Sequence, residues 1–206
     1  MDLSQPLALV TPTLDAAVLM ELAATTGWLT GGEVHRRAGS GSRDGVRRVL
    51  LRLAEQGIVI AQEQSYATLF LLNRDHVGAE AVIALTRVRD EIVNRIRTAI
   101  ESWAEPARSA SLFGSFARGE ADSRSDIDIL VVRGEPAGDD ELWAGQIDAL
   151  GVDTQRWTGN SAHIVVPSPS TLKQMVAADD PLVRSWRSDQ LHLCGANLLD
   201  LLGAAR

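Results

Sequence analysis

The chain has 206 residues, 45% of them apolar, one cysteine and a net charge of −7. That apolar content can build one large core or two small ones, and no apolar run approaches the roughly 20 residues that cross a bilayer, so no membrane partner is expected. The single Cys194 closes no internal disulfide and reads as a small core residue, and the first residues lack the basic-then-apolar order of a secretion signal, so a cytoplasmic location is expected. The charge also excludes a chain wholly devoted to nucleic acid. It is unevenly spread, however: residues 31–56 carry six Arg against Glu33, Asp44 and Glu55, a local +3, which leaves the remainder near −10. A basic island in an acidic chain can meet a polyanion locally.

Residues 1–13 contain Pro6 and Pro12, show no period and read as an arm. Residues 14–25 read as a helix with Val18, Leu19 and Leu22 in one stripe, Thr13 or Asp15 at its start and Gly27 beyond its end. Thr30 can cap a short helix over residues 31–38, and a Gly- and Ser-rich turn follows at 38–42. In the next helix, over residues 43–56, Val46, Val49, Leu50 and Leu53 share one arc and Arg43, Arg47, Arg48 and Arg52 the other, so one face packs and one is cationic. Residues 58–60 and 68–72 then read as two strands around the polar tip 62–65.

Three short helices followed by a hairpin, and especially residues 45–59 (GVRRVLLRLAEQGIV), resemble the bacterial winged helix-turn-helix regulators of the MarR or ArsR type. The resemblance implies a helix in the DNA major groove, with Arg43, Arg47 and Arg48 reaching phosphates or base edges. The hairpin departs from that pattern, because its tip has no basic residue.

Residues 77–103 read as a helical connector in one or two pieces, with a break near Ala84 and apolar positions at Ile83, Val88, Ile92, Ile96, Ile100 and Trp103. His76, without a paired ligand nearby, reads as a structural or surface residue. After Glu105-Pro106, residues 109–113 read as a buried strand. Gly114 then allows close approach of backbone to a ligand, and Ser115 can open a helix whose free N–H groups attract phosphate. Residues 126–132 read as a second strand in which Asp126, Asp128 and Leu130 point one way. Two carboxylates so close are costly unless a cation sits between them, and such pairs suit Mg²⁺ held together with substrate phosphates.

Gly114-Ser115, ten residues, then Asp126-Ile127-Asp128 resembles the signature of the DNA polymerase beta-type nucleotidyltransferases, and Phe113, Ala117-Arg118-Gly119 and Ser125 bring it near the minimal branch of that superfamily. The resemblance covers roughly residues 92–202. It implies a mixed sheet flanked by helices, Gly114 and Ser115 on nucleotide phosphates, Asp126 and Asp128 on two Mg²⁺, and in-line attack of an acceptor hydroxyl on the alpha-phosphate of a nucleoside triphosphate, with Arg118 read either as a cation that neutralises the triphosphate or as a surface residue of the short helix.

Active members of that superfamily usually carry a third carboxylate on a neighbouring strand. Two positions compete for that place here: His163, in the expected strand 161–166, and Asp153, at the head of an expected strand 152–158, the two strands being joined by a hairpin turn at Gly159-Asn160. A helix is expected over 139–150, and others over 170–177 with Ser168 or Ser170 near its cap, from Asp180-Pro181 through Trp186, and over 195–202. Arg184 and Arg187 read as salt-bridged surface residues.

The expected fold class is therefore α+β: an arm (1–13), a winged helix-turn-helix domain (14–75), a helical connector (76–104) and a nucleotidyltransferase domain (105–206). The expected function is Mg²⁺-dependent transfer of NMP from an NTP to a protein or RNA acceptor, tRNA among them, by a chain that also binds DNA. The alternative is a DNA-binding regulator whose nucleotidyltransferase domain binds nucleotide with little or no turnover. A homodimer and a single copy both remain open.

Overall fold

Apolar side chains three and four residues apart produce the first three helices of the computed structural model, which describes residues 1–134 and 138–204. These are α1 (Leu14–Ala23), α2 (Gly31–Ala38) and α3 (Arg43–Glu55), and they bury Val18, Leu22, Val34, Val46 and Leu50 completely. Thr30 begins α2 through a reciprocal capping box: its Oγ1 accepts from Glu33 N at 3.2 Å, while Thr30 N donates to Glu33 Oε2 at 2.8 Å. Ser42 Oγ caps α3 by accepting from Gly45 N at 3.1 Å.

The same core is closed by three antiparallel strands, β1 (Leu29–Thr30), β2 (Val59–Gln64) and β3 (Ala67–Leu72), in the order β1-β3-β2. Gln64 pairs with Ala67, so the turn is only Ser65-Tyr66, and Tyr66 is fully exposed at its tip. The arm is not structureless: Pro6–Leu9 forms a turn of 3-10 helix, and Leu7 joins this core. The connector breaks at Arg87 rather than near Ala84, where Arg87 N donates to Ala84 O and closes α4 (Ala79–Thr86) ahead of α5 (Val88–Glu101). His76 has a structural part, its Nδ1 accepting from Gly78 N at 3.0 Å. Apart from α5, these elements lie in one compact unit, Gln5–Arg89; Asp90–Arg206 with Met1–Ser4 makes a second, to which nearly all of α5 belongs.

The second unit is built on β4 (Ala107–Phe113), β5 (Ile127–Arg133), β6 (Ala162–Val165) and β7 (Leu191–Gly195), in the order β6-β5-β4-β7. β4 runs antiparallel to β5 and β7, whereas β5 and β6 are parallel, so the sheet is mixed and helices flank it. One face packs Phe113, Leu130 and Val132 against α8 (Pro169–Ala177), α9 (Pro181–Asp189) and α10 (Leu198–Ala204). Ile127, Ile129 and Val131 of the other face are also fully buried, which is why β5 reads as a continuous apolar run.

Three sequence expectations are corrected here. Residues 152–158 are not a strand but the last turns of α7 (Asp140–Thr158): Leu150, Thr154 and Thr158 recur at helical spacing and are buried. Gly159, at φ 74°, is the left-handed C-cap of that helix, so Gly159-Asn160 is a helix exit and not a hairpin turn. Leu191–Gly195 is a strand, which places Cys194 half-buried on the edge of the sheet and starts the last helix at Leu198 rather than Gly195.

At the end of β5, Arg133 Nε donates to Glu105 Oε1 at 2.6 Å, and its Nη1 pairs with Asp140. The bond from Arg133, more than any other influence, holds the Glu105 carboxyl below its ordinary range, while burial opposes it. A lowered folded-state pKa stabilises above the unfolded value of about 4.5 and is lost as pH falls through the folded value. Thermal melts of Glu105→Gln are therefore expected to fall less steeply with acidification below pH 4.5 than those of the unaltered chain, because the pair no longer titrates.

Candidate functional site

The register of β4 and β5 sets Phe113 beside Asp128, so the chain leaving β4 turns directly over that carboxylate. Gly114 makes the turn at φ 69°, and a Cβ there would collide with Asp128 Oδ2 and lie 3.3 Å from its Cγ. Only glycine meets both requirements. Gly114→Ala is accordingly expected to destabilise the chain by about 1–3 kcal/mol in urea denaturation, from strain and displacement of Asp128.

α6 (Gly114–Arg118) spans five residues, beginning at Gly114 rather than Ser115. So short a helix has little summed dipole, and what it offers an anion is the local N–H groups of its first turn and the half-exposed Ser115 hydroxyl. Asp126 lies just before β5, not within it, and is exposed.

His163 is the residue of β6 paired with Asp128, and its Nδ1 lies 3.0 Å from Asp128 Oδ1. A carboxylate only accepts, so the Nδ1–H donates to Asp128 and Nε2 is the ring nitrogen left outside that bond. The His163 side chain is 59% exposed against 23% for Asp128, leaving Nε2 within reach of a second reactant. Asp153, the competing position, lies on α7 and pairs with Arg156 at 2.8 Å. It is not on a strand beside Asp128.

Arg118 is held by two carboxylates. Its Nε donates to Glu120 Oε2 at 2.8 Å and its Nη1 pairs with Asp189, and these bonds, that from Glu120 foremost, raise its pKa further. Two carboxylates already balance its charge, so toward a phosphate it would act as a shared rather than a free cation. Arg184 is likewise engaged, with Asp179 at 2.8 Å.

Among the described residues, no group of three His, Cys, Asp or Glu side chains is arranged to hold a metal ion. Two hard carboxylates nevertheless suit Mg²⁺, which retains waters and takes its remaining ligands from phosphate oxygens. The bare backbone at Gly114 leaves Asp128 Oδ2 unobstructed by a side chain from the facing turn.

Residues 93–163 match the family model of the nucleotidyltransferase domain. The match ends on His163, so the matched segment contains Gly114, Ser115, Arg118, Asp126, Asp128 and His163. No curated protein matches the chain. Among solved structures, a toxin-antitoxin crystal structure with AMP-PNP is 19% identical over 55% of this chain and 82% of its own, with a TM-score of 0.37. The archaeal chromatin protein TrmBL2, whose structure shows a novel mode of DNA binding, is 13% identical over 90% of this chain and 76% of its own, with a TM-score of 0.31. These TM-scores are too low to assign a shared fold.

The other residues singled out by sequence lie in the first unit, where Arg43, Arg47 and Arg48 are exposed on α3 while Val46, Leu50 and Leu53 are buried. Arg52 is committed to an ion pair with Asp15. In the matched segment, Asn160 escaped sequence reading: taken for a turn residue, it is buried and bonded to the loop leading into Asp126. Its only sequence signal was an Asn after a helix-ending Gly.

Proposed function

We propose that the chain is a Mg²⁺-dependent nucleotidyltransferase that moves NMP from an NTP to a hydroxyl of a protein or RNA, tRNA included. The observation that carries this is the packing of Asp128 against the side-chain-free Gly114 on one side and His163 on the other. In this reading the N–H groups of the Gly114 turn and the Ser115 hydroxyl hold the phosphates, while Asp126 and Asp128 hold Mg²⁺. Bound there, the ion would offset phosphate charge and polarise the reacting phosphoryl group. His163, oriented by Asp128, takes the proton of the acceptor hydroxyl on Nε2. The acceptor oxygen forms its bond to the alpha-phosphorus as the bond to the bridging oxygen breaks, and pyrophosphate leaves with that electron pair.

For the first unit, the order α1-β1-α2-α3-β2-β3 and the cationic face of α3 support a winged helix-turn-helix that binds DNA through Arg43, Arg47 and Arg48. A second reading, a DNA-binding regulator that holds nucleotide with little or no turnover, is favoured by one feature: Asp128 Oδ1 is already bonded to the His163 ring where a third carboxylate would add negative charge. Incubation with Mg²⁺, each radiolabelled NTP, and tRNA or cell protein separates the two. Label should enter one acceptor and be lost on chelation. Nucleotide binding without label in any acceptor would select the regulator.

A further inference from the structure

We propose that Asn160 is a positioning residue for Asp126, fixing the backbone on which that carboxylate meets a divalent cation. The inference rests on the reading of Asp126 and Asp128 as the metal-holding pair. Asp126 is exposed, so its placement depends on its main chain. That main chain is anchored on both sides by consecutive residues at the exit of α7. Asn160, only 3% exposed, donates from Nδ2 to the carbonyl oxygens of Asp122 at 3.0 Å and Ser125 at 2.9 Å. The Ser125 carbonyl belongs to the peptide unit that carries the Asp126 nitrogen. One peptide later, Ile127 N donates to Ser161 O at 2.8 Å.

The remaining bonds of Asn160 leave its amide one orientation. Its Oδ1 accepts from the Met1 amino group at 2.7 Å, and its main-chain N–H donates to Thr158 Oγ1 at 3.0 Å. Reversed, the amide would set its oxygen against two carbonyl oxygens. The loop it grips is already closed on itself: Ser125 Oγ donates to Asp122 Oδ1 at 3.0 Å and accepts from Asp122 N at 3.0 Å, and Arg124 N donates to Asp122 Oδ1 at 2.8 Å. A rigid loop bound at both carbonyl ends by one buried amide moves as a body if that amide is lost, and Asp126 moves with it. Groups that orient metal-holding side chains typically change metal affinity 10- to 100-fold when removed.

The test is titration of the full chain with Mn²⁺ alone, followed by electron paramagnetic resonance. Asn160→Asp keeps the shape but replaces the donating NH₂ with an oxygen; Asn160→Ser shortens the side chain without adding charge and decides the matter if the first variant does not fold. Each is expected to raise the Mn²⁺ dissociation constant by about tenfold or more, with circular dichroism unchanged. Val176→Ala, in the core on α8, should lower stability and leave Mn²⁺ binding intact. Folded Asn160 variants that bind Mn²⁺ as tightly as the unaltered chain would overturn the positioning role alone, as would equal weakening by Val176→Ala. No Mn²⁺ binding by the unaltered chain would overturn the reading of Asp126 and Asp128, and the positioning role with it.

Discussion

Asp128→Ala is expected to lower nucleotidyl transfer by about 10³-fold or more, on the order of 4 kcal/mol of transition-state stabilisation, with the fold retained. The residue has three neighbours at once: the Gly114 turn against Oδ2, His163 against Oδ1, and Phe113 across the ladder. Its loss would take away a charge for the cation and the partner that fixes the His163 tautomer together. Asp128→Asn separates these contributions, since its amide oxygen can still accept from His163 while the other carboxylate oxygen becomes an uncharged NH₂. Nearly the same loss for Asn as for Ala, read as initial rates at saturating Mg²⁺, would assign the effect to charge. Transfer that survives Asp128→Ala at more than about a tenth of the original rate would rule out a metal-holding role there.

Replacing Arg43, Arg47 and Arg48 together by Ala is expected to weaken binding to duplex DNA and to reduce the slope of log K against log salt by about 2 to 3, since each phosphate contact contributes about 0.9. The three guanidinium groups lie on the exposed arc of α3, so stability should change by only about 0.5 kcal/mol per site or less. Weakening across all sequences would mark phosphate contacts, and loss confined to one sequence would mark base contacts. Binding to DNA with unchanged affinity and salt slope would show that α3 does not carry the interaction.

The parts of the fold that could be read from sequence are those whose signal is local. Thr30 and Glu33 stand at capping-box spacing, and the arcs of α3 separate Arg from Val and Leu within thirteen residues. Gly114-Ser115 and Asp126-Ile127-Asp128 are likewise visible, because close approach and paired charge each restrict residue type. What escaped depends on partners far along the chain. β1 is two residues long and exists only through Phe70 and Leu69. The end of α7, residues 152–158 (VDTQRWT), holds only two apolar residues, too few to show a period of 2 or of 3.6, and the burial of Thr154 and Thr158 decides for the helix. One of the two partners of Arg118, Asp189, lies 71 residues away and is invisible in the local sequence, whereas Glu120 is only two residues on. Asn160 likewise acts on carbonyls 35 and 38 residues upstream.

That the Gly114 turn, Asp126 and Asp128 form one Mg²⁺-nucleotide site is tested most directly by calorimetric titration of the full chain with non-hydrolysable analogues of each NTP, with Mg²⁺ and with EDTA, beside the Asp126→Ala/Asp128→Ala double variant. Binding of one analogue in Mg²⁺ that disappears both in EDTA and in the double variant is the predicted result. Equal affinity with and without the metal, or in the double variant, would contradict it.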